Sequence, residues 1–218
     1  TERTIVIFTS DHGDMDGAHM LHAKGAVAYR EQNNVPLLIA HPSHPGGRQC
    51  RAVTSHVDLA PTLLSLTGIG AERAKSIAKD LPGKDFSALL AAPDRAGETA
   101  LRDGALYCFN MFAYLDGDFL VKAVEHLKKG GKPAELKAAG VVPDLMKRGA
   151  VRSVYDGRYT FARYFSPKQH NRPKTLEDLL RFNDVELFDT RADPHEMTNL
   201  AAPAVRNREL LLAMNDKL

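Results

Sequence analysis

The chain alternates apolar runs with polar stretches rich in glycine and proline, and the spacing within each run predicts an element. Residues 4–9 (TIVIFT) and 35–41 (VPLLIAH) are continuous apolar runs, which is typical of strands covered on both faces. Between them, AKGAVAYREQNN has helical spacing and a polar end. Strand, short helix and strand predict a parallel α/β arrangement.

Residues 55–70 (SHVDLAPTLLSLTGIG) predict a helix, because leucines recur along one face. Asp58 is the predicted N-cap, Pro61 lies in the first turn and Gly68 ends the helix. A second helical stretch and a short helical piece follow before residue 92.

From about residue 105 the segments become aromatic and roughly alternating, as in strands. Asp156-Gly157 is the strongest short hairpin signal in the chain. Residues 185–190 (VELFDT) predict a further strand, and the last residues predict a closing helix. We therefore expect an α/β part over residues 1–110 and a smaller α+β part over 111–218. A helical, lysine-rich connection over 124–149 has no assigned role.

Composition narrows the function classes. The net charge is +2 without a clustered basic stripe, which argues against a nucleic-acid surface. Cys50 and Cys108 lack CxxC spacing, so neither a disulfide framework nor a thiolate zinc site is expected. No apolar run approaches the ~18 residues of a membrane span. The opening residues lack a signal-peptide pattern, and the compartment, periplasmic or cytoplasmic, stays open.

Candidate chemistry follows directly on the first strand, in Asp11, His12 and Gly13. Ligands collect outside the carboxyl ends of strands in α/β sheets. A carboxylate oxygen and an imidazole nitrogen suit a hard or borderline divalent cation, although two ligands need others from elsewhere. Gly13 would permit the tight turn. Lys24, thirteen residues after Asp11, would neutralise an oxyanion ester beside the cation.

Each residue also has an ordinary explanation when it is taken singly. An aspartate at a strand end is commonly a turn or cap residue, and a single lysine is commonly a surface residue. His19 and His22 are a possible ligand pair, but exposed or packed histidines are commoner. The ordered set of residues, rather than any one of them, indicates a site.

That ordered set resembles the sulfatase family of the alkaline-phosphatase-like superfamily, specifically its C-terminal portion. The resemblance runs through nearly the whole chain apart from about residues 113–150. It is carried by TIVIFTSDHGDMDGAHMLHAKG, NNVPLLIAHP, SHVDLAPTLLSLTGI, LPGKDFSALL, YDGRYTFARYF and VELFDTRADPHEMTNLA. It implies part of an alkaline-phosphatase-like sandwich with a central, mostly parallel sheet and helices. A small C-terminal antiparallel sheet with a terminal helix completes the expected fold.

Carried over by position, the resemblance implies that Asp11 and His12 bind one divalent cation, with Ca²⁺ expected first and Mn²⁺ or Mg²⁺ as alternatives. It implies that Lys24 is a catalytic residue contacting the sulfate of a small-molecule sulfate ester. His19 and His22 fall where the family varies and are second-rank substrate-binding candidates. Neither a nucleic-acid nor a membrane partner is expected, and a homo-oligomer is possible.

Two family elements are missing from the sequence. Sulfatases carry a formylglycine nucleophile in a Cys/Ser-x-Pro-x-Arg motif and further aspartate ligands on an earlier strand, whereas Cys50 and Cys108 lie in no such motif. We expect these parts in a missing N-terminal half or a companion chain, and no activity from this chain alone. Two alternatives stay open: a phosphonate monoester or phosphodiester hydrolase of the same superfamily, and a non-catalytic fragment or binding module.

Overall fold

The computed structural model describes residues 2–111 and 116–218. Its N-terminal portion contains two strands and three α-helices, joined by loops and 3₁₀ turns. In chain order these are β1 (Val6–Thr9), α1 (Arg30–Asn33), β2 (Leu37–Ala40), α2 (Leu59–Leu66) and α3 (Ala71–Ala78). The C-terminal portion contains β3 (Ala105–Phe109), α4 (Gly117–Lys128), β4 (Ala150–Tyr155), β5 (Tyr159–Phe165), α5 (Leu176–Phe182), β6 (Asn183–Asp189) and α6 (Arg208–Asp216).

β1 and β2 form a two-stranded antiparallel sheet with Thr9 opposite Leu37, so the parallel pairing predicted for them is wrong. The connecting segment contains only the four-residue α1 and one 3₁₀ turn, too little helix for a crossover over a sheet. The Gly13 N–H donates to the Gln32 carbonyl at 2.8 Å. This hydrogen bond joins the start of the segment after β1 to its end before β2. The two strand ends are therefore held side by side, as in a long hairpin.

The predicted helix over residues 55–70 is present, although it starts differently. A 3₁₀ turn over His56–Asp58 precedes α2, and the Asp58 side chain does not cap the α-helix. Its fully buried carboxylate accepts the Ser55 and Lys84 backbone N–H groups at 2.8 and 2.7 Å and pairs with the Arg102 guanidinium. Asp58 therefore ties the start of α2 to two later loops.

The C-terminal sheet is four-stranded and antiparallel in the order β3-β4-β5-β6, which confirms the predicted hairpin. Gly157 in its turn has φ +99°, which favours glycine. β3 lies before the predicted boundary at residue 110 yet pairs with β4 beyond it. The boundary itself stays a prediction, and the end of the predicted aromatic strand at residue 112 lies outside the described residues.

The predicted helical connection over 124–149 is helical only at its start. α4 ends at Lys128, and Gly130 then has φ +89°, a conformation that interrupts a helix of L-residues. A short 3₁₀ turn over Pro133–Glu135 and further turns complete the connection. Among the described residues, no helix is both long and apolar enough to cross a membrane.

The two faces of the C-terminal sheet have different neighbours. On one face, Val154 and Phe161 pack with Leu211 and Met214 of α6, together with Leu179 of α5. The other face contacts the loop before α1. There Val151 and Ala162 pack on Ala28 of the segment between β1 and β2. This second contact holds the candidate site against the sheet.

Candidate metal and anion site

The end of β1 turns sharply through Ser10, Asp11 and His12. The Ser10 hydroxyl donates to the His12 carbonyl at 2.6 Å, and the His12 N–H donates to Asp11 Oδ1 at 3.0 Å. The imidazole of His56 approaches from the start of α2, with Nε2 at 2.7 Å from the Ser10 carbonyl oxygen. His56 thus has a structural contact at the turn, in line with its position beside a helix start.

The hydrogen bonds of His12 define which ring nitrogen can act as a ligand. Nδ1 lies 2.8 Å from the Gly13 carbonyl oxygen, which only accepts, so the proton is on Nδ1. Nε2 is left with a lone pair, and the Lys24 ammonium donates to it. This tautomer puts on Nε2 the lone pair that a metal ligand needs, and in this structure the Lys24 ammonium takes it.

Asp11 lies beside the same nitrogen, with its Oδ2 at 3.4 Å from His12 Nε2. The bond from the His12 N–H to this carboxyl holds the pKa of Asp11 below its ordinary value. The Asp11 side chain is 84% exposed and the His12 side chain 36%, so both are open to solution. A carboxylate, an imidazole and the Lys24 ammonium therefore meet at one accessible place.

Gln32, which the sequence did not mark as a site residue, holds the backbone next to Lys24. It is 3% exposed, and its Oε1 accepts the Gly25 N–H at 2.7 Å. Its Nε2 donates to the Tyr107 hydroxyl at 2.6 Å, and that hydroxyl donates to the Gly25 carbonyl at 3.1 Å. Nothing in the local pattern REQNN distinguishes this glutamine from a solvated one.

Gly13 was predicted to permit a tight turn, but the structure requires a glycine there because another part of the backbone lies against it. A Cβ at this position would overlap the carbonyl oxygen of Glu31, so the backbones approach too closely for any side chain. The same approach allows the hydrogen bond between the Gly13 N–H and the Gln32 carbonyl. The backbone of Glu31 and Gln32 and the side chain of Gln32 thus position both His12 and Lys24.

His19 and His22 lie on the loop between Gly13 and Lys24 without contacting the three clustered side chains. His19 has φ +51°, and its ring stacks on Tyr29 with centroids 3.8 Å apart. Burial, followed by the nearby Glu186, raises the pKa of Tyr29 to about 12. His22 is exposed and contacts no described residue through a hydrogen bond, ion pair or ring. Their substrate-binding role stays a prediction.

Asp11 and His12 fit part of a divalent cation site. One ionised carboxylate and one neutral imidazole nitrogen are donors that such cations accept. The part of the chain that the structure describes contains no group of three or more His, Cys, Asp or Glu side chains placed to hold a metal ion. The described residues therefore offer two ligands, fewer than a closed cation site needs.

An open cleft of about 530 Å³ adjoins the pair. Its lining includes Asp11 and His12, residues of the β1–β2 segment and of the C-terminal sheet, and the cationic Arg51; Arg191 also lines it and is paired with Glu98. An anionic ligand would find positive charge along this wall.

Solved structures of other proteins share this fold. A solved protein in complex with its substrate D-glucosamine-2-N,6-O-disulfate superposes with a TM-score of 0.62 at 20% identity, over 99% of this chain and 34% of that one. The phosphonate monoester hydrolase of Agrobacterium radiobacter superposes with a TM-score of 0.62 at 25% identity, over 99% and 34%. The chain thus has the α/β fold of the alkaline-phosphatase-like enzymes.

Part of the sequence matches one family of these enzymes. Residues 1–69 match the family model described as Sulfatase. The endo-4-O-sulfatase of Bacteroides thetaiotaomicron is 29% identical over 210 residues, which cover 96% of this chain and 33% of that protein. The predicted resemblance is confirmed, and residues 1–69 are sulfatase-family sequence. The chain spans about a third of the length of this relative.

Proposed function

We propose that this chain is part of a sulfatase that hydrolyses sulfate esters, and that Asp11, His12 and Lys24 are its contribution to the active site. The convergence of a carboxylate oxygen and an ammonium on the lone-pair nitrogen of His12 carries this proposal. The sulfatase-family match over residues 1–69 includes all three residues.

Each side chain has a definite task in this proposal. Asp11 and His12 hold a divalent cation, Ca²⁺ by the family resemblance, which would supply positive charge opposite a sulfate oxygen. Lys24 donates hydrogen bonds to another oxygen of the sulfate and offsets charge that grows as the ester bond breaks. The nucleophile, formylglycine by the same resemblance, comes from sequence other than these 218 residues.

Two substitutions in the complete enzyme test these roles separately. We expect Asp11→Ala to lower bound Ca²⁺, measured by mass spectrometry, and to abolish sulfate release from an aryl sulfate. We expect Lys24→Ala to reduce turnover by about 10²-fold or more while leaving the metal content unchanged. Asp14→Ala is the matched control, because its exposed carboxylate accepts only a local N–H within the same loop. Full activity of the Asp11 variant would refute the assignment.

A phosphonate monoester hydrolase is the second candidate, because that enzyme from Agrobacterium radiobacter shares the fold at 25% identity. A cation and an ammonium would stabilise phosphonate oxygens as well as sulfate oxygens. Rates on matched aryl sulfate and aryl phosphonate esters decide between the two. A higher kcat/KM for the phosphonate would overturn the sulfatase proposal and retain the three-residue site.

A further inference from the structure

Two arginines face each other on the helix-covered side of the C-terminal sheet. Arg152 of β4 lies directly opposite Arg163 of β5, in the register set by the hairpin turn. Like charges in directly opposed positions of an antiparallel pair are destabilising. Alternation along the strands places both arginines on the face of Val154 and Phe161.

Arg163 is buried and Arg152 is partly buried, and both have N–H donors without a partner. Arg163 is 3% exposed, and its Nη2 makes a long hydrogen bond of 3.3 Å to the Asn171 carbonyl. Its Nε and Nη1 are buried without a partner, as is Nε of Arg152. Arg152 Nη1 donates to Nε2 of His170 at 3.0 Å. Buried donors without partners cost free energy, and more so on a charged group.

The charged groups that shift the pKa values of Arg163 and His170 are all positive. Burial lowers the pKa of the Arg163 guanidinium, and the charge of Arg152 lowers it further. Burial also lowers the pKa of His170, followed by the charges of Arg152, Arg163 and Arg172. No described carboxylate contacts either facing arginine, and the residues outside the described ranges include no Asp or Glu.

Other arginines on this sheet are paired, which makes the facing arginines unusual. Arg148, just before β4, lies 2.5 Å from Asp184, and Arg158 lies 2.7 Å from Asp189. The ring of Phe165 gives the facing arginines partial compensation, with guanidinium carbons 5.6 and 5.9 Å from its centroid. Such contacts offset part of the charge and satisfy no N–H donor.

We propose that Arg152, Arg163 and His170 form a binding site for a tetrahedral oxyanion, sulfate or phosphate. The anion accepts from Nε of Arg152 and from one of the two unpartnered donors of Arg163, Nε or Nη1, and its charge relieves the repulsion between the arginines. His170 is exposed and lies on the loop over residues 166–175, so this loop is the route of entry.

This oxyanion site is separate from the cluster of Asp11, His12 and Lys24. That cluster belongs to the segment whose Ala28 packs on Val151 and Ala162, on the opposite face of the sheet. The proposal therefore stands or falls independently of the sulfatase activity.

Nuclear magnetic resonance of the arginine Nε–H groups tests the site in the full chain. Sodium sulfate is titrated at constant ionic strength, with sodium chloride exchanged for it. We expect saturable shifts of the Arg152 and Arg163 signals, and similar shifts with phosphate. Glucose 6-sulfate distinguishes the source of the anion. Shifts with the inorganic anions indicate a free-anion site, and shifts with the ester alone indicate a site for the sulfo group of a substrate.

A charge-matched pair of variants completes the test. Arg152→Gln should weaken sulfate binding about tenfold or more, as expected for the loss of a charge-assisted hydrogen bond. Arg148→Gln, four residues before Arg152, also removes one positive charge. The guanidinium of Arg148 is already paired with Asp184. This variant should leave the affinity within about twofold. Absence of saturable shifts in the unsubstituted chain, or equal weakening in both variants, would overturn the proposal.

Discussion

Gln32 lies buried beneath the loop that carries Asp11, His12 and Lys24, and it bonds to the backbone near both ends of that loop. The adjacent pair Asp11-His12 could be predicted because the whole feature is local in sequence. The bonds that orient it are not local. Tyr107, for example, reaches the Gly25 carbonyl across 82 positions of the chain. Short-range patterns contain no information about such a partner.

At the residue scale, we expect Gln32→Leu to lower kcat/KM of the complete enzyme on a sulfate ester about tenfold to a hundredfold. The leucine keeps the volume but removes the acceptor of the Gly25 N–H and the donor to Tyr107, so Lys24 is displaced. Steady-state kinetics provide the measurement. Asn34→Leu, at an exposed position two residues away, should leave kcat/KM unchanged. Equal rates for both variants would exclude a positioning role for Gln32.

At the element scale, α4 depends on Asp116 at its N-cap. Asp116 Oδ1 accepts the Asp118 N–H at 3.0 Å, and its other oxygen accepts the Asp144 N–H at 3.0 Å. The Lys147 ammonium lies 2.5 Å from Oδ1. This ammonium, followed by the Asp144 N–H, lowers the pKa of Asp116 to about 2. One carboxylate therefore starts the helix and ties it to the connection that follows.

The lowered pKa of Asp116 predicts how the stability of the chain depends on pH. Because the folded state favours the ionised form, this contribution is complete above the unfolded pKa of about 4 and is lost as the pH falls toward about 2. Asp116→Asn should lower Tm at neutral pH and flatten the fall of Tm between about pH 4 and pH 2. Thermal melts followed by circular dichroism give both quantities.

Asp118→Asn is the matched control for that experiment, since Asp118 contacts the same lysine with a side chain that is 78% exposed. Solvent screens such a pair, so its removal should change Tm little. An acid transition of the Asp116 variant that coincides with that of the unsubstituted chain would contradict the assigned role.

At the scale of the whole molecule, the β1–β2 sheet presents apolar side chains to solvent. Phe8 and Leu38 are opposite each other in the register and are 60% and 59% exposed, and the nearby Val6 is 46% exposed. A contiguous apolar patch on a two-stranded sheet favours association with another protein surface.

We expect the isolated chain to self-associate through this patch, which would produce the homo-oligomer that the sequence leaves possible. The double variant Phe8→Ser/Leu38→Ser should lower the weight-average mass in sedimentation velocity toward that of a monomer. Val205→Ser is the control, because Val205 is 81% exposed and lies on a different part of the chain. A concentration-independent monomer before any substitution would refute this prediction.

The sequence by itself determined the local elements and the local chemistry. The Asp156-Gly157 turn defines the hairpin of β4 and β5, and residues 208–216 form the predicted final helix. These features depend on backbone preferences and side-chain periodicity within about ten residues. The motif order within residues 1–69 was likewise enough to predict the resemblance that the Sulfatase model bears out over these residues.

Only the tertiary structure decided which distant groups meet. The antiparallel pairing of β1 and β2 depends on the close approach of Gly13 to the backbone of Glu31 and Gln32. The meeting of Lys24 with His12 depends on how the intervening loop folds back. The unpaired state of Arg152 and Arg163 depends on which residues the sheet and its covering loop bring near them. Such contacts result from packing over the whole chain, so no single segment specifies them.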